Sequence, residues 1–193
     1  GFFISAAINK YVYLYVNKPA ADDLIRVKYS AYEQVETVDE IKHDLVANAL
    51  RTLDIKNGIE IVSMADIPDG TGMGSSGSYI VGLLTALNAL NKHQMPVQAL
   101  ADMAADIEMN KAAHPVGVQD HYVAAFGGIN SYTISKSGEV RVSPLRISTD
   151  TADALRSTLL LFYTGKRRAA ATILGQQDSD TRSGNTEIID SLH

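Results

Sequence analysis

Hydrophobic and polar residues alternate at the start of the chain, which is the pattern of a half-buried β-strand. Residues 2–17 are also rich in aromatic side chains, so they predict one strand, or two strands on either side of Asn9. Similar runs predict strands at residues 27–32, 59–64 and 158–163. Residues 129–135 and 139–146 predict a hairpin that turns at Lys136-Ser137-Gly138.

Other segments repeat their hydrophobic residues at the three- and four-residue spacing of an α-helix. They cover residues 39–53, 76–90 and 97–110, with Asp39 as the expected N-cap of the first helix. A further helix is expected at residues 165–177, followed by a loose polar tail from residue 178. Strands and helices in no strict βαβ order predict an α+β fold, in which helices cover one face of a mostly antiparallel sheet.

Composition and charge narrow the possible functions. With 193 residues, the chain can form one sizeable core, or one domain and part of another. Its net charge of −5 argues against non-specific nucleic-acid binding, and no stretch reaches the about 18 apolar residues that a membrane span needs. The absence of cysteine excludes disulfides and cysteine-bound zinc, and it fits a reducing compartment such as the cytoplasm. Residues 1–5 lack the charged start of a signal peptide, so we expect a truncated N-terminus.

The most informative segment is a loop rich in glycine and serine that leads into the second predicted helix. Residues 67–78 read Ile-Pro-Asp-Gly-Thr-Gly-Met-Gly-Ser-Ser-Gly-Ser. Glycine at every second position lets the backbone come close to a ligand, and the N–H groups at the start of a helix attract anions. The hydroxyls of Ser75 and Ser76 are suited to phosphate oxygens or to a phosphate-bound Mg²⁺. The segment predicts a polyphosphate-binding loop.

Several other readings of this loop compete. A P-loop is excluded because no lysine occurs between Gly70 and Asn91. Residues 72–77 match the dinucleotide-binding pattern Gly-x-Gly-x-x-Gly, but that pattern needs a strand after the helix, and a second helical segment follows instead. The esterase pattern Gly-x-Ser-x-Gly is absent from this stretch. A glycine-rich turn in which a serine caps a core helix remains an alternative.

Two carboxylates are candidates for chemistry. Glu108 shares a helix face with small apolar residues, so it is expected to be buried and to need a partner such as a metal ion. The alternative is a solvated glutamate at the helix end. Asp120 lies in the otherwise apolar stretch 115–128, where an aspartate is either a helix cap or a chemical group.

The basic residues give weaker signals. The five histidines show no metal-binding spacing such as His-Glu-x-x-His, so no zinc site is predicted. His121 is suited either to substrate contact or to packing. Arg168, in the run Lys166-Arg167-Arg168, is suited either to binding a substrate phosphate or to a solvated helix start. Lys10 and the tyrosines near it are assigned only to the sheet.

The pattern Pro-x-Gly-x-Gly-Met-Gly-Ser-Ser at residues 68–76 resembles the second motif of the GHMP kinases, the family of galactokinase, homoserine kinase and mevalonate kinase. The resemblance implies that ATP and Mg²⁺ are the cofactors, with Ser76 and Glu108 on the metal ion. It also implies that Asp120 accepts the proton of the acceptor hydroxyl, or orients that hydroxyl. The residues that it places on the nucleotide are Pro68, Gly70, Thr71, Gly72, Met73, Gly74, Ser75, Ser76 and Gly77.

The same resemblance implies a fold and its division. Residues 1–150 would form the family's N-terminal domain, of the ribosomal protein S5 domain 2-like type, and residues 151–193 the beginning of its ferredoxin-like C-terminal domain. The family's first motif, an arginine-bearing Gly-Gly-Gly segment, and its glycine-rich third motif have no counterpart in the chain. We therefore expect an internal piece of a longer kinase.

Within the family, residues 117–122, 126–128, 144–147 and 162–165 are similar to the group that phosphorylates the anomeric hydroxyl of a heptose 7-phosphate, used in making nucleotide-activated heptose. This implies a small sugar phosphate as substrate, with Gln119, His121 and Arg168 as its contacts. His121 stands where another polar residue is expected. Kinases for fucose, galactose or mevalonate remain alternatives, as does a non-catalytic module that binds ATP and sugar.

Overall fold

The structure, a computed structural model, describes residues 1–163 and 165. Its strands are β1 (Phe2–Ala6), β2 (Val12–Asn17), β3 (Ile25–Lys28), β4 (Tyr32–Val35), β5 (Ile59–Ala65), β6 (Ile129–Ile134) and β7 (Val140–Pro144). Its α-helices are α1 (Asp44–Thr52), α2 (Ser75–Leu90), α3 (Val97–Asp106), α4 (Gln119–Phe126) and α5 (Thr149–Thr158). In the described part of the chain, no helix is both long and apolar enough to cross a lipid bilayer.

The strands form two sheets. In the first, β6 lies between β1 and β7, and both pairings are antiparallel. The second has the order β2-β5-β3-β4, and only its β3–β5 pair is parallel. The expected α+β fold with mostly antiparallel pairing is confirmed, although two sheets replace the single sheet.

Two hydrophobic clusters hold the helices on these sheets. The larger one lies between the four-stranded sheet and helices α1 and α2, where each fully buried Leu or Ile side chain contributes about 1.5–3 kcal/mol. The smaller one packs α3 and α4 on the three-stranded sheet through Ala101, Tyr122, Tyr132 and Val140. Helix α4 also packs against α2.

Most of the predicted elements are confirmed. Residues 2–17 form the two strands β1 and β2, and the segment 59–64 forms β5. The helix predicted at 76–90 is α2, and the predicted hairpin is β6–β7. The helix predicted at 97–110 is α3 followed by a π-helical turn, Ile107–Lys111.

The helix predicted at residues 39–53 starts later than expected. A short 3₁₀ turn, Val38–Glu40, comes first, and the N-cap of α1 is His43 rather than Asp39. The buried carboxylate of Glu33 accepts the backbone N–H groups of Lys42 and His43, at 2.6 and 3.1 Å. Because these bonds keep residues 41–43 out of the helix, α1 begins only at Asp44.

Two strand predictions are wrong. Residues 27–32 contain the end of β3, a turn in which the N–H of Tyr29 donates to Ala31, and the first residue of β4. Residues 159–163 have no regular secondary structure, because no strand in the described region lies beside them to complete a ladder. Helix α5 spans residue 150, and the division into domains at that point stays a prediction. The helix predicted at 165–177 and the tail from 178 lie outside the described residues, apart from residue 165.

Candidate active site

The glycine loop connects β5 to α2 and has a backbone that glycine adopts most readily. Gly70, Gly72 and Gly74 have φ angles of +70°, +74° and +68°, while the residues between them have ordinary negative φ angles. Such alternation turns successive N–H groups toward one concavity, which is typical of anion-binding loops. Gly74 is the N-cap of α2, and no side chain caps this helix. The first N–H groups of α2 are thus left for a ligand, and the serine-capped alternative is wrong.

Asp120 lies in the first turn of α4 and packs against this loop. A Cβ atom on Gly74 would lie 3.0 Å from Cγ of Asp120. A Cβ atom on Gly77 would lie 2.8 Å from Cβ of Asp120 and 3.0 Å from its carbonyl carbon. These distances are shorter than an ordinary carbon–carbon contact of about 3.5 Å, so glycine at both positions is what lets Asp120 approach the loop.

Glu108 lies in the π-helical turn that follows α3, a feature that frequently occurs at functional sites. Its side chain is only 1% exposed, which confirms the prediction of a buried glutamate. Its Oε2 atom lies 2.8 Å from Nε2 of His121, which is equally buried, and Ser76 is close enough to the Glu108 carboxylate to help lower its pKa. The start of α2, the turn after α3 and the start of α4 therefore meet at this carboxylate.

A second histidine connects Glu108 to the protein surface. Nδ1 of His114 lies 3.5 Å from Oε1 of Glu108, and Nε2 of His114 lies 2.6 Å from Oδ2 of Asp44, the first residue of α1. Nδ1 of His121 is buried and has no hydrogen-bond partner among the described residues. The orientation of Glu108 is consequently fixed by two imidazoles from different parts of the chain.

The two carboxyl groups differ in their electrostatics. Desolvation by the surrounding loop raises the pKa of Asp120, and the charge of Glu108 adds to this against the opposing effect of His121. Burial also acts to raise the pKa of Glu108, but the hydrogen bonds from His121 and Ser76 outweigh it and hold that pKa below its ordinary value. The surroundings of Asp120 thus favour its protonated form more than water does, whereas the partners of Glu108 favour its ionised form.

A cleft of about 780 Å³ opens between the loop, one side of α2, the start of α4 and the segment 5–14. That volume is typical of sites for small molecules. Gly72, Met73, Gly74 and Ser75 line it together with Gln119 and Asp120. Lys10 also lines the cleft. The sequence had predicted that it belongs to a strand, but it lies in the connection between β1 and β2.

Comparison with known proteins identifies the domain that carries this site. The sequence profile of the GHMP kinases N terminal domain matches residues 37–128, which contain α1, the glycine loop and α4. Residues 37–128 form a GHMP kinase N-terminal domain. The resemblance inferred from the loop motif is confirmed.

Individual relatives agree with this assignment. A D-glycero-alpha-D-manno-heptose 7-phosphate kinase from Campylobacter jejuni is 29% identical over 129 residues, which are 67% of this chain and 38% of that protein. A mevalonate kinase from Archaeoglobus fulgidus is 33% identical over 94 residues, which are 47% of this chain and 33% of that protein. The chain thus spans little more than a third of the length of these relatives.

A solved structure supports the fold. The crystal structure of a D-glycero-D-manno-heptose 1-phosphate kinase from Bacteroides thetaiotaomicron matches with a TM-score of 0.78 and 21% identity. The match covers 98% of this chain and 65% of that one. At this level of identity the likeness establishes the architecture of the GHMP kinase domain, and not its substrate.

Most of the predicted site residues of the GHMP kinase domain lie close together. The nine predicted loop residues lie before α2 and in its first turn, and the hydroxyl of Thr71 donates to the carbonyl of Pro68 at 3.1 Å. The dinucleotide-binding alternative is wrong, because α3 follows α2 where that pattern needs a strand. Gln119 and Asp120 line the cleft together with the loop, while the side chain of His121 lies toward Glu108 in the protein interior. Arg168 lies outside the described residues.

Sequence reasoning did not find the link from His114 to Asp44. These residues are 70 positions apart, and no motif or periodicity connects them. Among the described residues, no group of three or more histidine and acidic side chains is arranged as a metal site. A magnesium ion that is shared with a nucleotide needs only one or two carboxylates, and Glu108, beside Ser76, is a carboxylate of this kind next to the start of α2. Neither residue is among those that line the cleft.

Proposed function

We propose that the GHMP kinase domain binds ATP with Mg²⁺, and that the protein transfers the γ-phosphoryl group to a hydroxyl of a small sugar phosphate. The observation that carries this proposal is the uncapped start of α2, preceded by left-handed glycines, which opens into the same cleft as Asp120. The cleft thus combines a site suited to phosphates, at the start of α2, with a carboxylate that can act as a base. The similarity to a heptose 7-phosphate kinase supports the anomeric hydroxyl of a heptose 7-phosphate as the acceptor.

The residues of the site divide the work of phosphoryl transfer, which requires mainly positioning and charge stabilisation. The backbone N–H groups from Gly72 to Gly77 bind the phosphate oxygens of the nucleotide. Ser76 and Glu108 would hold Mg²⁺, which neutralises charge on the phosphates when it is bound. Asp120, with its raised pKa, accepts the proton of the acceptor hydroxyl or orients that hydroxyl for attack.

The first test is thermal stabilisation of the protein by Mg²⁺–ATP. A ligand at about 100 times its Kd stabilises the folded state by about 2.7 kcal/mol, which gives a clear shift. Ser76→Ala should reduce the shift, while Ser131→Ala should not, because the Ser131 hydroxyl bonds to Ser143 in the other sheet. No stabilisation by Mg²⁺–ATP, or equal stabilisation of both variants, would contradict the nucleotide site.

The second test separates a kinase from a non-catalytic binding module. Asp120→Asn should keep nucleotide binding and lose most of the turnover, since it removes a base and leaves the loop in place. Turnover is measured with heptose 7-phosphate, galactose, fucose and mevalonate as acceptors. Unchanged turnover in Asp120→Asn would refute the role of Asp120. A wild-type protein that binds ATP but phosphorylates no acceptor would instead support the binding module.

A further inference from the structure

The charges in the cleft are few and unevenly partnered. Among the described residues that line it, only Asp120 and Lys10 carry a formal charge. Within residues 1–163, the Lys10 side chain takes part in no hydrogen bond or ion pair. Other lysines of the same sheet region do have partners, for example Lys28, whose Nζ lies 2.7 Å from Oε1 of Glu60. Lys10 is a cation at the cleft whose charge the described part of the chain leaves unmatched.

The backbone that carries Lys10 is held at both ends. Beyond the last β2–β5 pair, the N–H of Tyr11 donates to Oδ2 of Asp66 at 2.9 Å, and the N–H of Asp66 donates to the Tyr11 carbonyl at 3.0 Å. On the other side, the N–H of Ala7 donates to the carbonyl of Gly128 at 2.9 Å, directly after α4. The segment 7–11 therefore bridges the two sheets along the cleft. Asp66 leads into the glycine loop, so Lys10 and the loop start from neighbouring strands.

A phosphorylated acceptor would bring further negative charge into a cleft that already contains the carboxylate of Asp120. Its phosphate carries nearly two negative charges, the chain has a net charge of −5, and Asp120 adds a carboxylate at the point of reaction. The loop N–H groups are occupied by the nucleotide in the proposed function. We propose that Lys10 binds the phosphate ester of the acceptor and so makes the protein select phosphorylated over unphosphorylated sugars. This inference rests on the proposed function and names the chemical class of its acceptor.

The test compares Lys10→Met and Lys10→Arg in the full-length protein. KM is measured for the sugar phosphate, for the same sugar without its phosphate, and for ATP. A hydrogen bond to a charged group corresponds to about 10- to 100-fold in affinity, so Lys10→Met should raise KM for the sugar phosphate by that factor. KM for the unphosphorylated sugar and for ATP should stay within about twofold, and Lys10→Arg should restore part of the loss.

The matched control is Lys18→Met, since Nζ of Lys18 lies 3.1 Å from Oδ1 of Asn91 and Lys18 does not line the cleft. Equal KM increases for both forms of the sugar, an increase for ATP alone, or no change at all would overturn the assignment while the proposed kinase activity stands. If the wild-type protein phosphorylates no sugar phosphate, the proposed function fails and the role of Lys10 fails with it.

Discussion

Gly77→Ala tests whether the contact between α2 and α4 positions Asp120, the proposed base. Alanine is normally better than glycine inside a helix by about 1 kcal/mol, so this substitution would stabilise an isolated α2. In the folded protein, the new methyl group would lie 2.8 Å from Cβ of Asp120 and 3.1 Å from the backbone nitrogen of His121. Because one of these neighbours is backbone, rotation of a side chain cannot relieve the overlap.

The size of the effect follows from these distances. The closest contact is about 0.7 Å short of ordinary van der Waals separation, so the first turn of α4 must move by a similar amount. Overpacking of this kind costs about 1–3 kcal/mol, which leaves a net destabilisation of about 0–2 kcal/mol after the gain in helix propensity. A displacement of a catalytic group by nearly 1 Å costs up to about 100-fold in rate. Turnover should fall much more than stability.

Gly82→Ala is the matched control within the same helix. A Cβ atom there would also lie 2.8 Å from its nearest neighbour, but that neighbour is the terminal methyl Cδ1 of Leu14, which can rotate away. Urea denaturation and kcat are measured for both variants. Gly82→Ala should keep kcat within a few-fold, while Gly77→Ala should lose about 10- to 100-fold. If Gly77→Ala is as active as the control, the packing of Asp120 on α2 does not position the base.

Three further changes probe the surroundings of the base. His121→Ala should weaken Mg²⁺ binding by about 10-fold, because the carboxylate of Glu108 is then no longer held in place, and His121→Gln should weaken it less. Mg²⁺ is titrated in a thermal-shift assay that contains nucleotide. No difference from the wild-type protein would show that His121 only packs. His114→Gln should destabilise the protein more at pH 6 than at pH 8.5. Burial lowers the pKa of His114, but the hydrogen bond and charge of Asp44 raise that pKa overall. The stabilisation by protonated His114 is therefore complete below about pH 6.5 and is lost as the pH rises through the higher pKa of the folded state. Equal losses at both pH values in urea denaturation would contradict this link. A Cβ atom at Gly72 would meet nothing within 4 Å, but the residue has a φ of +74°. Gly72→Ala should therefore lower the free energy of unfolding by about 1–2 kcal/mol in the same assay. An unchanged stability would show that the loop adopts another backbone.

The parts of the fold that depend on local sequence could be predicted. The strand β5, the glycine loop and α2 follow each other in the chain, and each has its own periodicity or turn residues. The burial of Glu108 also followed from a local pattern, since it shares a helix face with small apolar residues. These features need no knowledge of distant contacts.

The parts that depend on distant contacts could not be predicted. Glu33 delays the start of α1 by accepting two N–H groups nine and ten residues away, and no helix rule anticipates this. His121 turns inward toward Glu108, with Nε2 2.8 Å from Oε2, and this contact joins residues that are 13 positions apart. Lys10 was predicted to lie in a strand because the residues around it alternate between hydrophobic and polar. In the structure, the hydrogen bonds between Tyr11 and Asp66 hold the neighbouring backbone, and Lys10 lies at the edge of the cleft.

The glycines that look equivalent in the sequence have different physical roles in the site. Gly72 faces open space, so its missing side chain serves the left-handed backbone and the approach of a ligand. Gly74 and Gly77 face Asp120, so their missing side chains permit the close approach of Asp120. In the proposed function, a phosphate at the start of α2 would therefore lie beside Asp120. Since positioning is most of what phosphoryl transfer requires, changes at Gly72 should act mainly on nucleotide affinity, and changes at Gly77 mainly on the rate of the bound complex.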